Sequence, residues 1–336
     1  MKQTKTKILS VLLLLTIAAS LLSLFACGGD KLYSEGSGEL RITATTFAPF
    51  DFARAVAGEK ATVTILQDNG ADLHNYSPTT ATLTALSESD IFICVGGESD
   101  DKWINDALEA ANNPELKVIK LSELTEGIIA ELEGHNHSGY CEANHPHNEE
   151  DHDHEEGDGH VHSSDEHVWN SLKNAEKFIE AIKTACTEKD PDNAGFYTSN
   201  ADAYIAELKN LDAQYTEAVG ASEKKTLVFA DRFPFIYLTS DYGLCYYAAF
   251  SGCSTEVDAS FETQAKLTEA VKDNGLSYVI VIEGSDANLA ESIKTETGCE
   301  ILTLNSMQSV QREQIKEGMT YLSVMKSNLE VLKKAL

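Results

Sequence analysis

Eight of the ten histidines fall within residues 135–162, in four His-x-His pairs: His135 and His137, His145 and His147, His152 and His154, His160 and His162. Glu, Asp and Gly fill most of the gaps, and no Lys or Arg interrupts them. In an extended chain, residues two apart point to the same side. Each pair can therefore offer two imidazoles to one transition-metal ion, with a carboxylate close by. An acidic solubilising loop is the bland alternative, and it gives no reason for four repeats of one spacing. The tract says divalent metal without saying what is done with it.

The other two histidines stand in structured surroundings. His74 sits in the run ILQDNGADLHNYSP (65–78), which leaves a strand through a Gly-containing loop. His167 opens a helix in DEHVWN (165–170). The elements that must position them alternate. Strands are expected at 40–46, 61–66, 91–95 and near 118, with helices at 49–57, 79–86 and 103–111 between them. After the tract come a helix over 168–185, a break at Asp190-Pro191-Asp192 and a long helix over 197–219 with Tyr204, Ile205, Leu208, Leu211 and Tyr215 on one side. A second series follows: strands at 226–230, 244–250, 278–282 and 301–304, helices near 235, at 261–272 and 287–296, and a last helix from 311 to 336. This is an α/β chain of two lobes, each with a mainly parallel sheet flanked by helices, joined by one long connecting helix. Ligands of such sheets bind beyond the carboxyl ends of the strands, where the His74 loop emerges.

A length of 336 residues with 42% hydrophobic content supplies material for two cores. A net charge of −28 argues against a nucleic-acid partner, which needs a basic face. Residues 1–27 read as an export signal. Lys2, Lys5 and Lys7 precede an apolar run over 11–25, and Leu24-Phe25-Ala26-Cys27-Gly28 resembles a bacterial lipoprotein signal, cleaved before a lipid-bearing Cys27. An uncleaved anchor is the alternative, and both place the body outside the cell. Residues 28–38 read as a polar tether. Of the remaining six cysteines, Cys94 reads as a small core residue. Cys245 and Cys253 are the disulfide candidates, and Cys141 is either a soft ligand of the tract or a free thiol.

Taken together, TTFAPFDFARAVAG (45–58), the His74 run and DEHVWN resemble the zinc- and manganese-binding solute receptors of ABC transporters. Zinc members carry a histidine- and acid-rich loop just ahead of the second motif, as here at 134–163. The resemblance covers residues 38–336. It implies a first lobe at 39–190, a connecting helix at 191–220, a second lobe at 221–336, and one metal in the cleft between the lobes. His74 and His167 match the first two ligands. Asp231, in LVFADRFPF (227–235), stands where zinc members have a third histidine and manganese members a Glu, and it could instead cap the next helix. Asn305 stands where the family has an Asp, and a neutral amide is the poorer ligand. Glu283, after the strand at 278–282, is the substitute candidate, with a loop ion pair as its other reading.

The resemblance implies a lipid-anchored, monomeric receptor on the outer face of a bacterial membrane. It would capture Zn²⁺ and deliver it to an ABC permease and its ATPase, with the tract as a mobile auxiliary site. A Mn²⁺ or Fe²⁺ receptor of the same fold, or a surface adhesin or metal-storage lipoprotein, stays open. A secreted zinc hydrolase finds no H-E-x-x-H and no G-x-S-x-G here. Glu166 beside His167 is its one conceivable base, so no enzyme is expected.

Overall fold

The computed structural model describes residues 32–68, 70, 76–125, 164–252, 254 and 259–336. The first lobe is built on strands β1 (Tyr33–Gly36), β2 (Leu40–Ala44), β3 (Ala61–Ile65), β4 (Ile91–Cys94) and β5 (Lys117–Lys120). Their order is β1-β3-β2-β4-β5, parallel except for β1, which runs antiparallel along β3 with Tyr33 opposite Ile65. All four residues of β4 are buried, as expected for a strand covered by helices on both faces. The helices of this lobe are α1 (Phe47–Ala57), α2 (Thr80–Glu88), α3 (Glu98–Asp101) and α4 (Ile104–Ala111). A reciprocal capping box between Thr79 and Thr82 fixes the start of α2.

Beyond the tract, a 3-10 turn at Val168–Asn170 leads into α5 (Leu172–Lys189), capped by the Ser171 hydroxyl, which accepts from the Asn174 amide. Helix α6 (Ala194–Ala221) follows. Its 28 residues span about 42 Å. The buried residues Tyr197, Ala201, Leu208, Leu211, Tyr215 and Val219 repeat at helical spacing along it. The second lobe comprises β6 (Thr226–Phe233), α7 (Ile236–Tyr242), β7 (Cys245–Ser251), α8 (Phe261–Asp273), β8 (Tyr278–Ile282), α9 (Asn288–Thr297), β9 (Glu300–Leu304), α10 (Arg312–Lys316) and α11 (Tyr321–Ala335). Its sheet has the order β7-β6-β8-β9 and is parallel throughout.

Three expectations are corrected. Residues 33–36 belong to the sheet as its edge strand, so the stretch read as tether is shorter than 28–38. The last helix is two helices, because Gly318 adopts a left-handed φ of 92° and Thr320 caps a fresh start. Asp231 lies inside β6, at a register shift between Phe229 and Arg232, so it does not cap α7.

The apolar residues do not divide one core per lobe. The larger cluster runs from β2 and β3 through α1, α5 and α6 to β6, β8 and α11. A smaller cluster fills the outer side of the second sheet, around Val228, Leu267, Val279 and Ile293. Tyr33–Leu336 accordingly forms one unit, and a shared core of this kind resists hinge opening. Cys94, Cys186 and Cys299 are buried free thiols. Cys245 is disulfide-bonded, and its expected partner Cys253, like Cys141, lies outside the described residues. No helix among the described residues is long and apolar enough to cross a membrane.

Candidate metal centre

His167 is fully buried, at the start of the segment 165–171 that links the tract to α5. Local sequence fixes its imidazole. Asp165 Oδ1 accepts from the His167 backbone amide at 2.8 Å and lies 3.0 Å from Nδ1. A proton held on Nδ1 by this carboxylate leaves the lone pair on Nε2, the form a metal ligand needs. The Trp169 ring meets the imidazole edge-on, with centroids 5.3 Å apart. Gly252, just past β7, covers the other side. A Cβ there would lie 3.0 Å from both Cε1 and Nδ1 of His167, so no larger residue fits without displacing the ring.

The second lobe grips this segment along its length. Tyr237 Oη donates to Asp165 O at 2.9 Å, Asn170 Nδ2 to Pro234 O at 2.8 Å and Ser171 Oγ to Asp241 Oδ2 at 2.6 Å. Trp169 Nε1 donates to Ser306 O at 2.9 Å, and Tyr321 Oη to Trp169 O at 2.7 Å. Burial of Trp169 removes roughly 200 Å² from water, worth about 5 kcal/mol before ordering costs. The ligand assigned to the first lobe is therefore held in place by the second.

Nε2 of His167 faces Gln308, whose amide nitrogen is in contact with it. Gln308 is 5% exposed, and its Oε1 has no hydrogen-bond partner among the described residues. This side chain was not a sequence candidate. Its signal was its place just beyond the carboxyl end of β9, outweighed by the weak donor strength of an amide.

Glu283 and Asn305 hold the turn that carries Gln308. Glu283 Oε2 accepts from Ser306 N at 2.7 Å, and its Oε1 from Ser306 Oγ at 2.7 Å and Gln308 N at 3.2 Å. Asn305 Oδ1 accepts from Met307 N at 2.9 Å. The backbone N and O of Asn305 are clamped by the amide of Asn328 at 2.9 and 2.8 Å. Four successive backbone amides, those of residues 305 to 308, are thus satisfied by side-chain oxygens. Met307 sits at a φ of 63°, a strained value for a non-glycine residue that the surrounding bonds enforce. Burial raises the Glu283 pKa, opposed by the hydrogen bonds it accepts.

Asp231 Oδ1 accepts from the Arg232 amide at 2.8 Å, and Oδ2 from the Ile282 amide at 3.4 Å, which places the carboxyl at the carboxyl end of β8. Behind His167, Glu166 Oε1 accepts from Ser99 N at 2.6 Å, and burial raises its pKa. Among the described residues, no three His, Cys, Asp or Glu side chains form a metal-holding group. The structure brings His167 and Gln308 together and ties Glu283 and Asn305 to the Gln308 turn. It leaves Asp231 at a neighbouring strand end. His74 and all eight tract histidines lie outside the described residues, as does Cys27.

Residues 42–335 match the family described as zinc-uptake complex component A, periplasmic. The chain belongs to this family. It is 33% identical over 319 residues to the zinc-binding lipoprotein AdcA of Streptococcus pneumoniae R6, covering 94% of this chain and 60% of that protein. The chain thus spans less than two thirds of this streptococcal relative. It is 27% identical over 326 residues to the high-affinity zinc uptake system protein ZnuA of Bacillus subtilis 168, covering 96% of this chain and 97% of that one. Among solved structures, the Zn(II)-bound ZnuA-like domain of S. pneumoniae AdcA superposes with a TM-score of 0.66 at 30% identity, over 88% of this chain and 98% of that domain. The two-lobed α/β architecture with its long connecting helix is the architecture of these relatives.

Proposed function

We propose that the protein is an extracytoplasmic receptor that captures Zn²⁺ between its lobes and delivers it to an ABC permease, with no catalytic step. The observation that carries this reading is the setting of His167. One imidazole nitrogen is held by Asp165, and the other is aimed at the second lobe, in a chain that matches a zinc-uptake family from residue 42 to residue 335. His74 would supply the second imidazole. Gln308, whose buried Oε1 has no hydrogen-bond partner among the described residues, and Asp231 would be the oxygen donors of the second lobe. Two imidazoles with one or two oxygens suit tetrahedral Zn²⁺.

The body would be a monomer tethered by lipid at Cys27, and the tract at 134–163 would raise the local metal concentration without forming the tight site. Titration of the metal-free soluble body with Zn²⁺ should show one tight site that survives deletion of 134–163. Loss of the tight site on that deletion would overturn the cleft assignment. The all-oxygen donor set of the second lobe also suits Mn²⁺. Competition between Zn²⁺ and Mn²⁺ on the deleted form decides, and a Mn²⁺ preference would replace the zinc reading.

A further inference from the structure

A buried carboxylate of the first lobe seats the last helix of the second. Asp51, on α1, is 2% exposed. Its Oδ1 accepts from Arg54 Nε at 2.7 Å, and its Oδ2 accepts from the Tyr321 backbone amide at 2.7 Å. Arg54 also donates to the Met319 carbonyl and to Glu35 of β1. Two residues of α1 thus hold the turn between α10 and α11, and they fix Tyr321 as the first residue of α11. A carboxylate withdrawn from water needs its oxygens satisfied, and both are satisfied here.

The seat matters because of what the other end of Tyr321 touches. Its ring is fully buried and meets Phe52 edge-on, with centroids 4.7 Å apart. Its hydroxyl donates to the Trp169 carbonyl at 2.7 Å. Trp169 in turn donates to Ser306 O and lays its indole against the His167 imidazole. One backbone bond, one rigid ring, one hydroxyl bond and one aromatic contact therefore lead from Asp51 to the imidazole. The hydroxyl bond fixes the carbonyl of the very residue that touches His167.

We propose that Tyr321 is a positioning residue of the metal centre, seated by Asp51 and Arg54, whose hydroxyl holds Trp169 so that the indole keeps the His167 imidazole in one orientation. This rests on the receptor reading above. With the hydroxyl bond made, Nε2 of His167 is presented in one direction. Without it, the Trp169 backbone gains freedom, the indole loosens against the ring, and His167 has to be ordered again when metal binds. A bond of the same kind on the same helix provides a comparison. Tyr215, as deeply buried as Tyr321, donates its hydroxyl to the Met325 carbonyl of α11 at 2.7 Å. Among the described residues that hydroxyl bonds nothing in the segment 165–171.

The test titrates Zn²⁺, in competition with a chelator, into the soluble body lacking 134–163, as unmodified protein, Tyr321→Phe and Tyr215→Phe. Each substitution removes one oxygen and leaves the ring in place, so both variants should fold and lose similar amounts of urea midpoint. Tyr321→Phe should weaken Zn²⁺ binding about fivefold, while Tyr215→Phe should stay within about twofold of unmodified protein. Co²⁺ in place of Zn²⁺ gives a second readout, because its visible absorption bands follow ligand geometry and not stability. They should shift in Tyr321→Phe and stay in place in Tyr215→Phe. Unchanged affinity or unchanged Co²⁺ bands in Tyr321→Phe would overturn the positioning role while the receptor reading stands. Equal losses of affinity in the two variants would overturn it too, since the bond would then act through stability alone. Absence of any tight Zn²⁺ site in the unmodified body would overturn the receptor reading and the positioning role with it.

Discussion

The two strand-end regions that meet at the candidate centre are built in opposite ways. On the His167 side, an acid serves the candidate ligand: Asp165 accepts a hydrogen bond from Nδ1 and leaves Nε2 facing Gln308. On the β8–β9 side, an acid serves the scaffold: both oxygens of Glu283 are engaged by Ser306 and Gln308, and the group that reaches the imidazole is the neutral amide of Gln308. A preset imidazole thus faces a weak donor on a rigid turn. On the receptor reading proposed above, such an arrangement would select for position more than for charge and would keep the second lobe's hold on a bound metal modest enough for release.

Substitutions on the two sides should separate these roles. The largest effect is expected for His167→Ala, which should weaken Zn²⁺ binding by more than about a hundredfold in titration. Asp165→Ala frees the tautomer and the ring orientation, and should cost about tenfold to a hundredfold. Glu283→Ala removes the acceptor of Ser306 N and of Ser306 Oγ, and one of the two acceptors of Gln308 N. It should weaken binding about tenfold and lower stability by about 2 kcal/mol in urea unfolding. A loss as great as that of His167→Ala would make Glu283 a ligand and erase the contrast. Gln308→Glu places a carboxylate on the imidazole and should tighten Zn²⁺ binding several-fold, while slowing its release.

The smallest expected effect lies behind His167. Burial, with the Glu166 charge adding to it, raises the Asp100 pKa to about 6. An acid whose folded pKa lies above its unfolded value binds more protons when folded. Stability from this group is therefore fully present at low pH and falls as pH rises from about 4 to 6. Asp100→Asn should flatten that window in the metal-free body and gain about 1 kcal/mol at pH 7.5 relative to pH 5, read by urea unfolding at both values. A pH profile identical to that of the unmodified protein would assign the slope to other buried acids.

Much of this molecule was legible in its sequence, for reasons that are local. Alternating apolar segments gave the two mainly parallel sheets, and the helical spacing of Leu208, Leu211 and Tyr215 gave the connecting helix. The lone histidine after two acids marked a helix start, which is where His167 stands. What escaped depended on contacts between distant segments. Residues 33–36 look like tether until β3 supplies a partner for them. Glu283 looks like a free strand-end acid until Ser306 and Gln308, more than twenty residues on, fold back onto it. Gln308 was missed because an amide is an uninformative residue type, and only the bonded turn of Glu283 and Asn305 aims it at His167.

The most direct test is an anomalous-scattering crystal structure of the Zn²⁺-loaded body without residues 134–163. The expected result is one zinc peak about 2.0–2.1 Å from Nε2 of His167, with the Gln308 amide nitrogen displaced from that position. Zinc bound elsewhere, with Gln308 still seated on His167, would contradict the assignment of the cleft.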